Sequence, residues 1–156
     1  MGKTIIYNDE NGEVALVFCM ENHIAKFPTE EDGLANIIEN DIPAGVKYVV
    51  IDSNDVPVSR EFRSAWVIEG DRIVVDMPKA RDIHMERIRM SRDAPLAALD
   101  IKFMRAVEMR DDAKTAEIAA QKAVLRDLPN KIDLTKFSTP EELDAYWPKE
   151  LPSREG

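Results

Sequence analysis

The composition of the chain changes at Asp76, and this change limits the possible folds more than any other feature of the sequence. Clusters of β-branched residues precede Asp76, whereas residues 78–128 are rich in Ala, Met, Leu, Arg, Lys, Asp and Glu. β-Branched side chains suit a pleated strand, and unbranched ones lose little rotamer freedom in a helix. The sequence therefore predicts an α+β protein: a small acidic β-hairpin and helix module over residues 1–77, a helical hairpin over 78–128, and a short docking helix with a tail over 129–156.

Turn and capping residues divide the first module into elements. Asn11-Gly12 favours a tight hairpin turn, and Gly70 favours a second one. Thr29 precedes three acidic residues, which is typical of a helix N-terminus, because the hydroxyl accepts a backbone N–H and the acids complement the helix dipole. The predicted elements are strands at residues 3–8 and 13–19, a helix from Thr29 to Asn40, a strand at 46–52, and a hairpin at 67–75.

Two features interrupt the predicted helices of residues 78–128. Pro95 lies inside the pattern, so the helix either kinks there or stops near Asp93 and restarts with Pro95 in its first turn. Asp111 and Asp112 can break the helix and cap a second one. One apolar stripe follows steps of three and four residues, which is typical of a helix face that packs on a core. Its members are Ile88, Leu96, Leu99, Phe103, Ala106 and Val107.

A short helix is predicted near the carboxyl end of the chain. Thr139 and Glu142 match a capping box, and Pro140 fits the first helical position. Pro148 is expected to end this helix after about two turns. The helix presents three large apolar side chains that must pack on another surface: Leu143, Tyr146 and Trp147.

Few residues in the sequence can support catalysis, metal binding or a cofactor. Cys19 is the only cysteine and lies in an apolar run, which is typical of a buried side chain rather than a nucleophile. His23 and His84 are far apart and lack the ligand spacing of a zinc site. Residues 2–4 resemble the end of a phosphate-binding loop, but the loop residues that should precede them do not exist. The sequence therefore predicts no catalytic residue, no metal and no cofactor.

Charge and hydropathy argue against two classes of partner. The net charge is −9, with the acids concentrated in the first module, so the chain is not expected to bind nucleic acid. No apolar run approaches the length of a membrane span, so no membrane partner is expected. The amino-terminal residues lack the apolar core of a secretory signal, and the expected location is therefore the cytoplasm.

The carboxylates of the first module leave one enzymatic alternative open. Two paired acids can act as general acid and base in a hydrolase, although a solvated surface or a helix cap explains such clusters more often. The candidates are Asp9, Glu10, Glu30, Glu31, Asp32, Asp52 and Asp55. A small hydrolase is kept as a distant alternative, and the chain is expected not to be an enzyme.

Two arginines and two aromatic residues are concentrated between Arg60 and Trp66. Arg, Phe and Trp are enriched at the energetic centres of protein interfaces, which favours a binding role for Arg60 and Arg63. Alternatively, Phe62 and Trp66 pack one helical turn onto the sheet while the arginines pair with acids of their own module. The core role is favoured for the aromatic residues, and both alternatives stay open for the arginines.

The predicted helices carry more apolar surface than a two-helix hairpin can bury. Their arginines are spread over more than one face, and the apolar stripe needs a third element to cover it. A partner polypeptide or self-association is therefore expected. The predicted partner-binding residues are Arg60, Arg63, Arg89, Arg92, Leu96, Leu99, Phe103, Tyr146 and Trp147.

Several segments of the chain resemble a known family. Residues 85–100 contain an R-x-x-R-x-x-x-L-x-x-L-D cadence, and residues 103–108 and 121–129 continue it into a helix that ends in L-R-D-x-P. This pattern is similar to the C-terminal helical region of bacteriophage tail and tail-fibre assembly proteins. Residues 41–48 and 62–66 resemble the N-terminal parts of phage proteins that carry such a region.

The resemblance implies a non-enzymatic helper that binds a tail or fibre polypeptide during folding or trimerisation, in the host cytoplasm. The family has no catalytic residues to carry over. The alternative is a permanent structural part of the virion, such as an adaptor, connector or decoration protein. The expected partner is a phage tail or tail-fibre protein, with a homo-oligomer as a second expectation.

Overall fold

The computed structural model describes residues 2–154, and the chain divides between Asp76 and Met77 into two compact units. Unit 1 precedes this boundary and contains antiparallel strands, whereas unit 2 follows it and is helical. The predicted α+β class is therefore confirmed. Within the described residues, every helix is too short or too polar for a membrane span.

A three-stranded antiparallel sheet forms the centre of unit 1. Its strands are β1 (Lys3–Asn8), β2 (Val14–Cys19) and β3 (Tyr48–Asp52), in the order β2-β1-β3. Asp9 closes the β1–β2 turn, because its Oδ1 accepts the backbone N–H groups of Asn11 and Glu13, each at 2.9 Å. Gly12 supplies the positive φ of 79° that this turn requires. The predicted hairpin is confirmed.

Two α-helices, two 3₁₀ turns (Ser53–Asp55 and Arg63–Ala65) and a second hairpin complete the described part of unit 1. The helices are α1 (Glu21–Ile24), which has no counterpart among the predicted elements, and α2 (Glu30–Asp41). Thr29 caps α2 as predicted, since its hydroxyl accepts the Asp32 N–H at 3.1 Å. The second hairpin pairs β4 (Trp66–Glu69) with β5 (Arg72–Val75) and turns at Gly70, as predicted.

Successive side chains of β1 supply the two cores of unit 1, because neighbouring residues of a strand point to opposite faces of the sheet. Ile6 belongs to one cluster and Ile5 to the other, and both are fully buried. The first cluster contains Ile6, Val14, Ile51, Val56, Trp66 and Ile73. The second contains Ile5, Cys19, Ile37 and Ile42.

The described residues of unit 2 form four α-helices: α3 (Met77–Ser91), α4 (Asp93–Glu108), α5 (Asp112–Lys131) and α6 (Pro140–Ala145). Pro95 lies in the first turn of α4, so of the two predicted alternatives the chain stops and restarts there. Asp111 caps α5 as predicted, because its Oδ1 accepts the Lys114 N–H at 3.0 Å. The core of the unit joins α3 and α5 to the residues after α6 through Ile88, Leu125, Leu128 and Leu151.

The turn between α4 and α5 closes with an arginine in a left-handed conformation. Arg110 has a φ of 56°. The Arg110 N–H donates to the Val107 carbonyl, and the Asp111 N–H donates to the Ala106 carbonyl, each at 3.0 Å. This is the hydrogen-bond pattern in which glycine usually fills the left-handed position. The turn therefore places a cationic side chain at the tip of the α4–α5 hairpin.

Candidate polypeptide-binding surfaces

The predicted residues of unit 1 contact its core tryptophan. The guanidinium carbons of Arg60 and Arg63 lie 5.4 and 4.6 Å from the centroid of the Trp66 ring, and Arg63 also donates to the Val14 carbonyl. Trp66 and Phe62 are each 3% exposed, which confirms the core role of the aromatic residues. Phe62 and Trp66 cap the two ends of a single 3₁₀ turn, Arg63–Ala65, so one helical turn separates them as expected, and Trp66 then begins β4.

Arg92 connects α4 to α5 inside unit 2. Pro129 lies in the last turn of α5 and has no N–H, so the Leu125 carbonyl, four residues earlier, lacks its usual helical donor. The Arg92 guanidinium replaces that donor, because Nη1 lies 3.2 Å from the Leu125 oxygen and 2.8 Å from the Arg126 oxygen. Arg89, by contrast, is exposed and pairs with Glu86 at 3.4 Å.

The predicted apolar residues of α4 face α5 and the core. Leu96 and Leu99 are half-buried and pack against the core cluster of unit 2. Phe103 is also half-buried, and the Lys122 ammonium from α5 lies 5.0 Å from its ring centroid. These three residues therefore lie in the contact between helices of their own unit.

Tyr146 and Trp147, the two aromatic residues that follow α6, dock within unit 2. The Trp147 Nε1–H donates to the Pro152 carbonyl at 2.9 Å, and its ring lies edge-on to His84 at 5.9 Å. The Tyr146 ring lies 5.1 Å from that of Phe137. The surface that these aromatic side chains required is thus supplied by the same unit.

His84 is fully buried beneath Trp147 and Tyr146. Its Nε2 lies 2.8 Å from the Tyr146 carbonyl oxygen and donates to it. Burial lowers the pKa of the imidazole, and this outweighs the carbonyl, which raises it. The neutral ring is consequently a structural group of unit 2.

The side of α4 that faces away from the core carries a second apolar stripe, here called the outer seam. Its members are Ala94, Ala97, Ile101 and Met104, all exposed. Ile101 is 55% exposed and Met104 is 64% exposed, so two large apolar side chains lie next to each other at the surface, three residues apart. Sequence inspection identified the inner stripe and missed the outer one, although its spacing of three, four and three residues is visible in the sequence.

A groove at the end of the α4–α5 hairpin, here called the tip groove, has a volume of about 400 Å³. Its apolar lining comes from Ala106, Met109 and Ile118, and its charged lining comes from Lys102, Arg105, Asp111 and Lys114. Met109 is 80% exposed. The Asp111 carboxylate accepts the Lys114 N–H, and the Lys114 ammonium lies 3.7 Å from Glu117. The groove therefore combines an apolar floor with a border of cationic side chains, of which Lys114 already has an acidic neighbour.

Several of the candidate catalytic and metal-binding side chains among the described residues have structural contacts. Within residues 2–154, no three His, Cys, Asp or Glu side chains are placed to hold a metal ion. Burial raises the pKa of the Cys19 thiol, and the Asp41 carboxylate raises it further. Among the candidate carboxylates, Asp9 and Asp52 accept backbone N–H groups of their own turns, and the three acids after Thr29 lie in the first turn of α2.

No family model, curated protein or solved structure matches this chain. A functional proposal therefore depends on the surface of the protein itself, where the outer seam and the tip groove of unit 2 expose apolar side chains. Most of the sequence-predicted contact residues lie in intramolecular packing instead.

Proposed function

We propose that this protein is a non-enzymatic polypeptide-binding protein that holds its partner at the tip groove of the α4–α5 hairpin. The observation that carries the proposal is the exposed apolar surface at that tip, bordered by cations. The resemblance of residues 85–129 to phage assembly proteins narrows the proposal to a tail or tail-fibre assembly protein.

The chemistry of the tip groove defines the partner segment that fits it. Met109, which is 80% exposed, supplies apolar surface whose burial favours association. Lys102, Arg105 and Lys114 supply positive charge in a chain whose net charge is −9. A segment with apolar side chains next to acidic ones matches both features, since opposite charges steer the encounter and fix the register.

Such binding needs no covalent step. An unassembled tail polypeptide exposes apolar surface that its own assembly later buries, and such surface aggregates in the meantime. Covering that surface reversibly lowers the concentration of the aggregation-prone form. Met109 suits this role, because a flexible and polarisable thioether adapts to surfaces of different shape.

The test is co-expression with a phage tail or tail-fibre polypeptide from the same genome as this chain. The soluble fraction of that polypeptide is expected to rise severalfold in the presence of the protein. Met109→Glu is expected to abolish the increase, because it places a carboxylate on the apolar floor of the groove. Val58→Glu is the matched control, since Val58 is exposed but belongs to unit 1.

Equal solubility of the tail polypeptide with and without the protein would refute the assembly role. Quantitative mass spectrometry of purified particles separates the two forms of the proposal. A transient helper is absent from the particles or present below the copy number of its partner, whereas a permanent virion component is present at a fixed symmetric copy number.

A further inference from the structure

The outer seam of α4 has the spacing of a coiled-coil interface. Ala94 and Ile101 occupy equivalent positions of two heptads, and Ala97 and Met104 occupy the positions three residues later. In a left-handed coiled coil, these are the positions that face a second helix. The same helix packs on α5 through Leu99 and its neighbours on the opposite side, so the seam is not needed for the fold of the hairpin.

Opposite charges flank the two sides of this seam. Asp93 and Asp100 lie along one side, and Ala98 and Arg105 lie along the other. Asp100 is 57% exposed, and its Oδ1 lies 2.6 Å from the Lys122 ammonium. A carboxylate has two acceptor oxygens, so this exposed group can accept from a further cation as well.

The arrangement of these charges selects a particular partner helix. In a parallel coiled coil, the last residue of a heptad on one helix lies next to the fifth residue of the following heptad on the other helix. These two positions are five residues apart in sequence. Two copies of α4 in that arrangement bring Asp100 of each copy to Arg105 of the other. An antiparallel pair would instead place the acidic sides together, which is repulsive.

We propose that the outer seam binds a second copy of this chain, with the two α4 helices parallel. Ala94 and Ala97 let the helix axes approach closely at one end, while Ile101 and Met104 supply the apolar burial at the other. The seam spans only two heptads, so the dimer is weak and exchanges readily, with a dissociation constant on the order of micromolar. Arg105 also lines the tip groove, but the dimer needs neither an occupant of that groove nor a phage partner.

Sedimentation velocity of the full chain over a concentration series tests the association. The mass is expected to rise from monomer to dimer with concentration. Met104→Glu is expected to keep the chain monomeric at every concentration, because it places like charges opposite each other in the seam. Val124→Glu, at an exposed position of α5, is the matched control and is expected to dimerise like the unmodified chain.

Charge reversal tests the pairing of Asp100 with Arg105. Asp100→Lys is expected to weaken the dimer about tenfold, because both inter-copy pairs become repulsive. Adding Arg105→Asp to that variant restores opposite charges and is expected to recover most of the affinity. Since both variants lose the contact with Lys122, that contact does not contribute to the difference between them.

The orientation is tested by cross-linking in a Cys19→Ala background. A Met104→Cys variant is expected to form an inter-copy disulfide under mild oxidation, because parallel helices bring the two positions together. An antiparallel pair separates them by many residues. A chain that stays monomeric at all concentrations, a dimer that survives Met104→Glu, or a dimer that does not cross-link at position 104 would each overturn the proposal.

Discussion

Burial determines the chemistry of the residues that the sequence offers as ligand or nucleophile. His84 donates to the Tyr146 carbonyl and is covered by Trp147, and Cys19 lies in a core cluster of unit 1. Sequence spacing already argues against a metal site at His84. Its complete burial was not predictable, because Tyr146 is 62 residues away in the sequence and only tertiary packing brings it close.

The pH dependence of unfolding is expected to report His84. Since burial lowers its pKa in the folded protein, the unfolded state takes up the proton first as the pH falls through about 6.5, and the free energy of unfolding decreases. Above that pH the His84 imidazole is neutral in both the folded and the unfolded state, and the protein retains the full free energy of unfolding. Each tenfold difference in proton affinity corresponds to about 1.4 kcal/mol. Urea titrations across this range measure the effect.

The matched variant is His84→Asn, which retains a donor group but cannot take up a proton. It is expected to be less stable at neutral pH, yet to lose the decrease that the unmodified chain shows below pH about 6.5. An unchanged pH profile in the variant would show that His84 is not the group responsible.

Thiol labelling is expected to be limited by opening of unit 1. The raised pKa of Cys19 and its burial both reduce the accessible thiolate, so the native protein should react with a disulfide reagent at least about a hundredfold more slowly than the urea-unfolded chain. A Cys19→Ala, Met20→Cys variant is the control, because Met20 is exposed. Fast labelling of Cys19 in the native protein would contradict its buried placement.

Most elements follow from local signals, and the exceptions arise from contacts between distant residues. The caps at Thr29, Asp111 and Thr139 fix helix starts through bonds to residues three positions later, so the sequence could predict them. The continuation of α5 past Pro129 could not be predicted, because Arg92 on the other side of the hairpin supplies the missing donor. Both apolar stripes of α4 are likewise visible in the sequence, but the sequence does not indicate which of the two faces the core.

The Arg92 and Pro129 positions are expected to be energetically coupled. Arg92→Gln should lower the free energy of unfolding by about 1.5–3 kcal/mol, since it leaves the Leu125 carbonyl without a donor. In a Pro129→Ala background, the restored N–H satisfies that carbonyl, and the same substitution should cost clearly less. A double-mutant cycle by chemical denaturation measures the difference.

Arg89→Gln serves as the control for this cycle. Arg89 forms an exposed pair with Glu86 one turn away, so its loss should change stability by less than about 0.5 kcal/mol in either background. Equal costs for Arg92→Gln with and without Pro129 would contradict the donor role assigned to Arg92.

At the scale of the whole molecule, each unit contains a hydrophobic core made from its own residues. The cluster around Ile88, Leu125 and Leu128 lies entirely in unit 2, and the clusters on both faces of β1 lie entirely in unit 1. The composition change at Asp76 therefore marks a change in structure, which periodicity and propensity alone could indicate. Which of the predicted contact residues stay exposed depends on tertiary packing, which these local patterns do not encode.

A fragment of residues 77–156 is consequently expected to fold without unit 1. It should show helical circular dichroism and a cooperative thermal transition, because its core needs no residue from the other unit. A single Ile88→Ala substitution, at a fully buried position, should lower its stability by about 2–5 kcal/mol. A gradual, non-cooperative melt of the unmodified fragment would show that the unit is not independent.

Because α4 contacts its own fold on one side and offers its outer seam on the other, the two properties of the helix can be altered separately. Random mutagenesis screened for well-folded but assembly-defective proteins should therefore yield hits on this helix at intervals of three and four residues. Substitutions that also reduce solubility should lie on the opposite face of α4, which packs against α5 and the core. The positions of the two sets of hits along α4 would thus separate substitutions that disrupt folding from substitutions that disrupt association.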